Sequence, residues 1–189
     1  MRGRNRFIFF VLCSLMVVAI IYTVSNRSDD HSATKTCNDQ ESKEVNLQIG
    51  SCAPNFRLPD LNGKEKELYA TNQKPTFLNF WATWCGPCQS ELPHIEAAYR
   101  KYKDRVNFIM VNATSTERNE EEINRFLKKN QYTFPVLLDR RETNITFDKY
   151  KLVGIPVTLA IDPQGRILYK RIGSIRESEV KQLMEQLVH

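Results

Sequence analysis

The chain has one Cys-x-x-Cys and no second paired Cys or His motif to complete it. A structural zinc needs four such ligands, usually supplied as two close pairs. Outside the N-terminal apolar stretch the only other thiols are Cys37 and Cys52, and they are not closely paired. No metal is therefore expected, and no cofactor. A Lys/Arg-rich tract with interleaved aromatics is also missing, which argues against a nucleic-acid surface. The formal charge of +5 does not restore that reading. Without Arg2, Arg4 and Arg6, 24 basic residues face 22 acidic ones. No internal repeat or low-complexity block is present, so the chain is no solenoid or array.

Those three arginines precede an uncharged stretch of 18 residues, Phe7 to Val24. That length just spans a hydrocarbon layer of about 30 Å without tilt. A cleavable signal peptide has a shorter core and a small-x-small site. Thr23-Val24-Ser25 is a poor version of that site. The expectation is a cytoplasmic N-terminus (1–6), a single-pass transmembrane anchor (7–24) and an outward-facing remainder, because basic flanks stay inside. Bulky Leu12 precedes Cys13, which therefore reads as an apolar membrane residue and no lipid-bearing cysteine. Residues 25–46 are polar without apolar period and read as a flexible tether with a coil dimension of about 25 Å. Residues 47–189 suit one compact domain. Cys37 and Cys52 can bridge in an oxidising compartment or remain two free thiols, and spacing does not decide between them. The Asn-x-Ser/Thr triplets at Asn26, Asn112 and Asn144 have meaning only in a eukaryotic secretory route.

What the chain does have is Trp84-Cys85-Gly86-Pro87-Cys88, directly after the apolar run Thr76–Trp81. A strand ending there puts Cys85 at the start of a helix over about 85–102, marked by Leu92, Ile95 and Tyr99 at helical spacing. Pro87 suits the first helical turn, where its missing N–H costs nothing. Unpaired N–H groups and the helix dipole favour a thiolate at Cys85, and Cys88 lies one turn behind, in reach to resolve a mixed disulfide.

Around this core, short extended pieces near Asn55–Leu58 and Glu65–Leu68 flank Asn62-Gly63 and read as a hairpin. Strands are expected at Thr76–Trp81, Val106–Val111, Pro135–Leu138, Thr158–Ile161 and Ile167–Ile172, with a tight turn at Asp162-Pro163-Gln164-Gly165. Thr114-x-x-Glu117 and Ser174-x-x-Glu177 read as capping boxes. The first would open a helix carrying Ile123, Phe126 and Leu127; the second would open one carrying Val180, Leu183, Met184 and Leu187. Strands alternating with helices indicate an α/β sheet.

Phe80-Trp81-Ala82-Thr83-Trp84-Cys85-Gly86-Pro87-Cys88, with Pro93 beyond it, resembles the active-site segment and helix proline of the thioredoxin superfamily. Ala53-Pro54-Asn55-Phe56, Leu78-Asn79-Phe80-Trp81, Glu91-Leu92-Pro93, Phe134-Pro135-Val136 and Gly154-Ile155-Pro156-Val157-Thr158 resemble the TlpA/ResA-type membrane-anchored thiol-disulfide oxidoreductases. The likeness covers roughly 47–189. It implies a thioredoxin-like fold: a central mixed sheet flanked by helices, an N-terminal hairpin and a central insertion around 114–130. It also implies a cis bond before Pro156 beside the dithiol, which would turn the Ile155 backbone toward an extended substrate segment. Cys85 would attack and Cys88 resolve; Trp84, Gly86, Pro87, Ile155 and Pro156 would bind substrate. Plain thioredoxins bury an aspartate where this chain has Asn79, which cannot titrate. Glu91, three residues after Cys88 on the same helix face, becomes the candidate proton carrier; its plainer reading is a solvated helix carboxylate. Trp81 is expected in the core, Phe134-Pro135 in packing, and His94 on the surface without a partner.

The Gly86-Pro87 dipeptide favours a reductase of disulfide-containing proteins, recharged by a membrane electron donor. Relatives of this type reduce apocytochrome c or act on cell-envelope or spore proteins of bacteria. A thiol oxidant or isomerase on the same fold, or a peptide-binding module without turnover, are the alternatives.

Overall fold

The computed structural model describes residues 15–18, 37, 47–70 and 73–188. The chain forms two compact units, Met1–Lys35 and Thr36–His189. In the first, residues 15–18 are helical and exposed. Among the described residues no helix is long and apolar enough to cross a membrane. The rest of the expected anchor, including Cys13, lies outside the described residues, as do 1–6 and all of 25–46 except Cys37.

The second unit begins with a hairpin, β1 (Arg57–Pro59) and β2 (Glu65–Glu67), antiparallel and closed through Asn62-Gly63. The main sheet follows: β3 (Thr76–Trp81), β4 (Asn107–Asn112), β5 (Val136–Leu138), β6 (Val157–Ile161) and β7 (Ile167–Ile172). Helix α1 (Gly86–Tyr102) follows β3, α2 (Glu120–Asn130) lies between β4 and β5, and α3 (Glu177–Val188) closes the chain. Sheet order is β5-β4-β3-β6-β7. β3 pairs parallel with β4, and β4 with β5; β3 pairs antiparallel with β6, and β6 with β7. This is a thioredoxin-like mixed sheet.

β3 occupies the middle of the sheet, and all six of its residues are buried. That is why it reads as an unbroken apolar run rather than an alternating one. Its side chains still alternate between faces. Phe77 and Trp81 join a core with Leu92, Ile95, Leu183 and Met184 from α1 and α3. Leu78 and Phe80 join a second core with Leu58, Val111, Tyr150 and Leu159 on the other face. Asn79 has the parity of Phe77 and Trp81, so it faces α1.

The buried stripe of α1 includes Cys88, Glu91, Leu92, Ile95 and Glu96, the 3–4 spacing of a helix laid on a sheet. Two carboxylates therefore face inward. Glu96 accepts from Thr133 N (2.8 Å), Thr133 Oγ1 (2.6 Å), Phe134 N (3.2 Å) and Arg100 Nε (2.6 Å). Burial pushes its pKa up, but these donors outweigh that and hold it below the usual carboxylate value.

Both expected capping boxes are corrected. Thr114–Thr116 forms a single 3₁₀ turn, and α2 starts later, at Glu120, with Asn119 as its cap: Asn119 Oδ1 accepts Glu122 N at 3.0 Å. Glu117 is drawn instead to Thr83 and Asn112. At α3, Ser174 pairs with Ser90 (Oγ to Oγ, 3.1 Å), and it is Glu179 that accepts Arg176 N at 3.0 Å. His94 is partly exposed at the surface, as expected, but it has a partner: its Nδ1 sits 3.9 Å from Glu177 Oε2.

Cys37 and Cys52 are bridged, with Cα atoms 5.4 Å apart. Cys37 is 1% exposed and donates its N–H to Gln164 O at 2.8 Å. The segment expected to be a free tether is thus fastened to the domain upstream of residue 47. Its seat is the β6–β7 turn, where Gly165 (φ +92°) has no room for a side chain: a Cβ would lie 2.7 Å from Cys37 Cβ. β6 enters the sheet at Val157, opposite Phe80, and leaves it at Ile161, opposite Thr76. The bridge therefore lies at the end of the sheet away from the β3–α1 junction.

Candidate active site

The chain leaves β3 at Trp81, turns through Ala82–Thr83–Trp84 and enters α1 with Cys85 as N-cap in extended conformation (φ −81°, ψ 107°). Cys85 Sγ takes the place of a capping oxygen and accepts Cys88 N at 3.2 Å. Pro87 stands in the first turn, as expected. Cys85 and Cys88 are joined as a disulfide with Cα atoms 5.2 Å apart. Cys88 is fully buried and Cys85 only 4% exposed, so Cys85 is more covered than a helix-terminal position implies. The cover is the loop before β6. The Ile155–Pro156 bond is cis, and Ile155 O lies 3.7 Å from Cys85 Sγ. Pro156 is buried and Ile155 half-buried. Trp84, Gly86 and Pro87 are exposed around the disulfide, with Trp84 58% exposed. Trp81 lies in the core, as the sequence suggests.

Glu91 is fully buried, which excludes the solvated-carboxylate reading. Oε1 accepts Asn79 Nδ2 at 2.8 Å, and Oε2 accepts Ile175 N at 2.8 Å. Burial pushes its pKa up to about 7; the two donors only partly offset this. Asn79 Nδ2 also lies 3.0 Å from Thr158 Oγ1 on β6. One buried polar strand thus links β3, α1, β6 and the lead into α3, on the α1 face that carries Cys88. A carboxyl that titrates near neutrality is suited to general acid–base work.

Three residues at the site escaped the sequence reading. Glu117 accepts Thr83 N (2.7 Å) and Thr83 Oγ1 (2.5 Å), while Gln89 Nε2 donates to Thr83 O (2.6 Å). Thr116 Oγ1 accepts Trp84 Nε1 at 3.1 Å. Nothing in the local pattern announces these pairs; Glu117 in particular is indistinguishable from a helix-capping residue. Among the described residues, no cluster of three or more His, Cys, Asp or Glu side chains is placed to hold a metal ion.

A disulfide capping a helix at the carboxyl end of a central strand, covered by a cis-proline loop, defines a thiol-disulfide oxidoreductase of thioredoxin-like fold. Comparison with known proteins agrees and narrows it: residues 49–170 match the AhpC/TSA family, and the chain belongs to that thioredoxin-like family. Thioredoxin-like protein YneN of Bacillus subtilis is 35% identical over 143 residues, covering 76% of this chain and 82% of the relative. Thiol-disulfide oxidoreductase ResA of Bacillus cereus is 33% identical over 147 residues, covering 77% and 82%. Among solved structures, StoA from Bacillus subtilis superimposes with a TM-score of 0.60 at 28% identity, over 72% of this chain and 97% of StoA. The thioredoxin domain of a Bacteroides vulgatus thiol-disulfide oxidoreductase gives 0.67 at 25% identity, over 76% and 100%.

Proposed function

We propose that the protein is a membrane-tethered, outward-facing reductase of disulfides in partner proteins. Its Cys85 thiolate attacks one sulfur of the partner's disulfide and releases the other as a thiolate. Cys88, deprotonated, attacks the resulting mixed disulfide. The partner leaves as a dithiol, two electrons richer, and Cys85–Cys88 is oxidised. A membrane electron donor returns two electrons to restore the dithiol. Glu91 exchanges the proton of the resolving step. Trp84, Gly86, Pro87, Ile155 and Pro156 form the docking face, with the Ile155 backbone pairing with an extended segment that carries the disulfide.

The observation that carries this reading is the double placement of Cys85 Sγ, 3.2 Å from Cys88 N and 3.7 Å from Ile155 O. The first contact supports a thiolate when the pair is reduced; the second supports the Ile155 backbone as a partner for a substrate chain that brings its disulfide to Cys85. Support for the reducing direction comes from Gly86-Pro87, and for tethering from the Arg-flanked uncharged stretch 7–24. Apocytochrome c before haem attachment and cell-envelope or spore proteins are the substrates proposed.

Trapping tests it. Cys88→Ser should leave Cys85 bonded to its substrate, to be named by mass spectrometry of the membrane fraction. A Cys85 that labels with a membrane-impermeant maleimide in intact cells supports the outward orientation. Absence of any mixed disulfide, or labelling only after lysis, overturns the reading.

A further inference from the structure

Trp84 is an exposed aromatic side chain whose indole is tied by a hydrogen bond. Its indole N–H donates to Thr116 Oγ1 at 3.1 Å, while the Thr116 hydroxyl donates to Ala113 O at 2.7 Å. The hydroxyl's proton is thus committed, and its lone pair is left pointing at the indole. The residue before Trp84 is tied at every polar atom. Thr83 N and Oγ1 go to Glu117, and Thr83 O receives Gln89 Nε2. Glu117 Oε1 also accepts Asn112 Nδ2 at 2.9 Å, from the buried end of β4.

The 3₁₀ turn that supplies Thr116 and Glu117 is itself fixed to the sheet. Ala113 N donates to Trp81 O at 2.9 Å, Ser115 N to Asp139 O at 3.0 Å and Asp139 N to Asn112 O at 3.0 Å. Strands β3, β4 and the end of β5 therefore all bear on one turn, and that turn bears on Trp84. A docking side chain already in place spares the association the cost of ordering it.

We propose that Glu117 and Thr116 are positioning residues that hold the Thr83–Trp84 turn, and so the orientation of Trp84, for docking of a partner's disulfide-bearing segment. This rests on the docking role of Trp84 given above. The central insertion then serves recognition: it carries the brace for a side chain that contacts the substrate.

Thr116→Val removes the acceptor at an exposed position together with the hydroxyl's bond to Ala113 O, which keeps Thr116 N as its donor. By NMR, hydrogen exchange at the Trp84 indole N–H should quicken by about three- to tenfold, the range one lost neutral hydrogen bond spans. The KM for a synthetic peptide with one internal disulfide should rise by a similar factor, with kcat little changed. Thr116→Ser should restore both. Glu117→Ala should raise KM further, and Glu117→Gln should recover much of the loss, since an amide oxygen accepts Thr83 N and its NH₂ donates to Thr83 Oγ1. In a Trp84→Phe background, Thr116→Val should have no further effect on KM.

Unchanged indole exchange and KM in Thr116→Val, beside an active wild type, overturns the brace. So does an undiminished Thr116→Val effect in Trp84→Phe. A wild type that reduces no peptide disulfide while its indole stays protected overturns the reductase reading instead.

Discussion

Asn79 donates its side-chain amide to the Glu91 carboxylate, Nδ2 to Oε1 at 2.8 Å, and both side chains are fully buried. The Asn79 carbonyl oxygen has no hydrogen-bond partner among the described residues. An amide placed so can turn and accept when Glu91 carries a proton, so the pair suits both ionisation states of the carboxyl.

One part of the protein's pH dependence follows from Glu91, opposite in sign to that of Glu96, whose pKa is held low. The Glu91 pKa in the fold, about 7, lies above the ordinary 4.5. Between those values the folded chain holds a proton that the unfolded chain has lost. Stability is therefore greatest below pH 4.5 for this group, falls as pH rises, and carries the full penalty of about 3 kcal/mol above pH 7. In urea unfolding, Glu91→Gln should flatten the decline between pH 5 and 8. Alkylation of Cys85 in the reduced protein should also lose its inflection near pH 7 in that variant. An unchanged alkylation profile removes Glu91 from the proton path.

Asn79→Asp should place a second carboxyl against the first. Two carboxylates at hydrogen-bond distance in a buried site cannot both ionise, so the pair retains a proton to higher pH. The expected outcome is a loss of about 2 kcal/mol or more at pH 8, regained below pH 5, read from the unfolding midpoint at each pH.

The bridge at the far end of the sheet should contribute stability and leave the exchange chemistry unaltered. Cys37 and Cys52 are 15 residues apart, a loop worth about 3 kcal/mol in the unfolded-chain entropy account. Cys37→Ser with Cys52→Ser should lose about that much in chemical denaturation while turnover of a peptide disulfide is kept. Gly165→Ala should cost about 1–3 kcal/mol, because it combines a left-handed backbone with a Cβ pressed on Cys37.

Asn119→Ala should cost about 1 kcal/mol, since Asn119 caps α2. A thermal melt with far-UV detection reads this. A loss of helix signal on Thr114→Ala but not on Asn119→Ala would restore the capping box that the sequence suggests.

Thr114–Thr116 forms a 3₁₀ turn and no helix start for a physical reason. Ser/Thr followed by Glu three residues on suits a helix start, and a local pattern says no more than that. The Glu117 carboxylate instead meets Thr83, 34 residues away, because parallel pairing of β3 with β4 sets Trp81 opposite Asn112. Bonds across the sheet are stronger claims on that carboxylate than an exposed cap.

Properties set within a few residues were determined by sequence alone. They include the buried strand Thr76–Trp81, the Asn62-Gly63 and Asp162–Gly165 turns, Pro87 in the first turn of α1, and a dithiol at a strand–helix junction. Each follows from backbone propensity, side-chain period or capping chemistry, which act over one turn or one strand. Tertiary structure alone decided which charges were buried and who met them. Glu91 and Glu96 lie on one stripe of one helix. Glu96 receives four donors and is held low, whereas Glu91 receives two and is pushed to about 7. The partners that make this difference, Ile175 84 residues from Glu91 and Thr133 37 residues from Glu96, arrive only when the chain closes. The cover of Cys85 by Ile155, 70 residues on, has the same origin. A pKa depends on burial and on donor count at a point in space, and neither is a property of the local sequence.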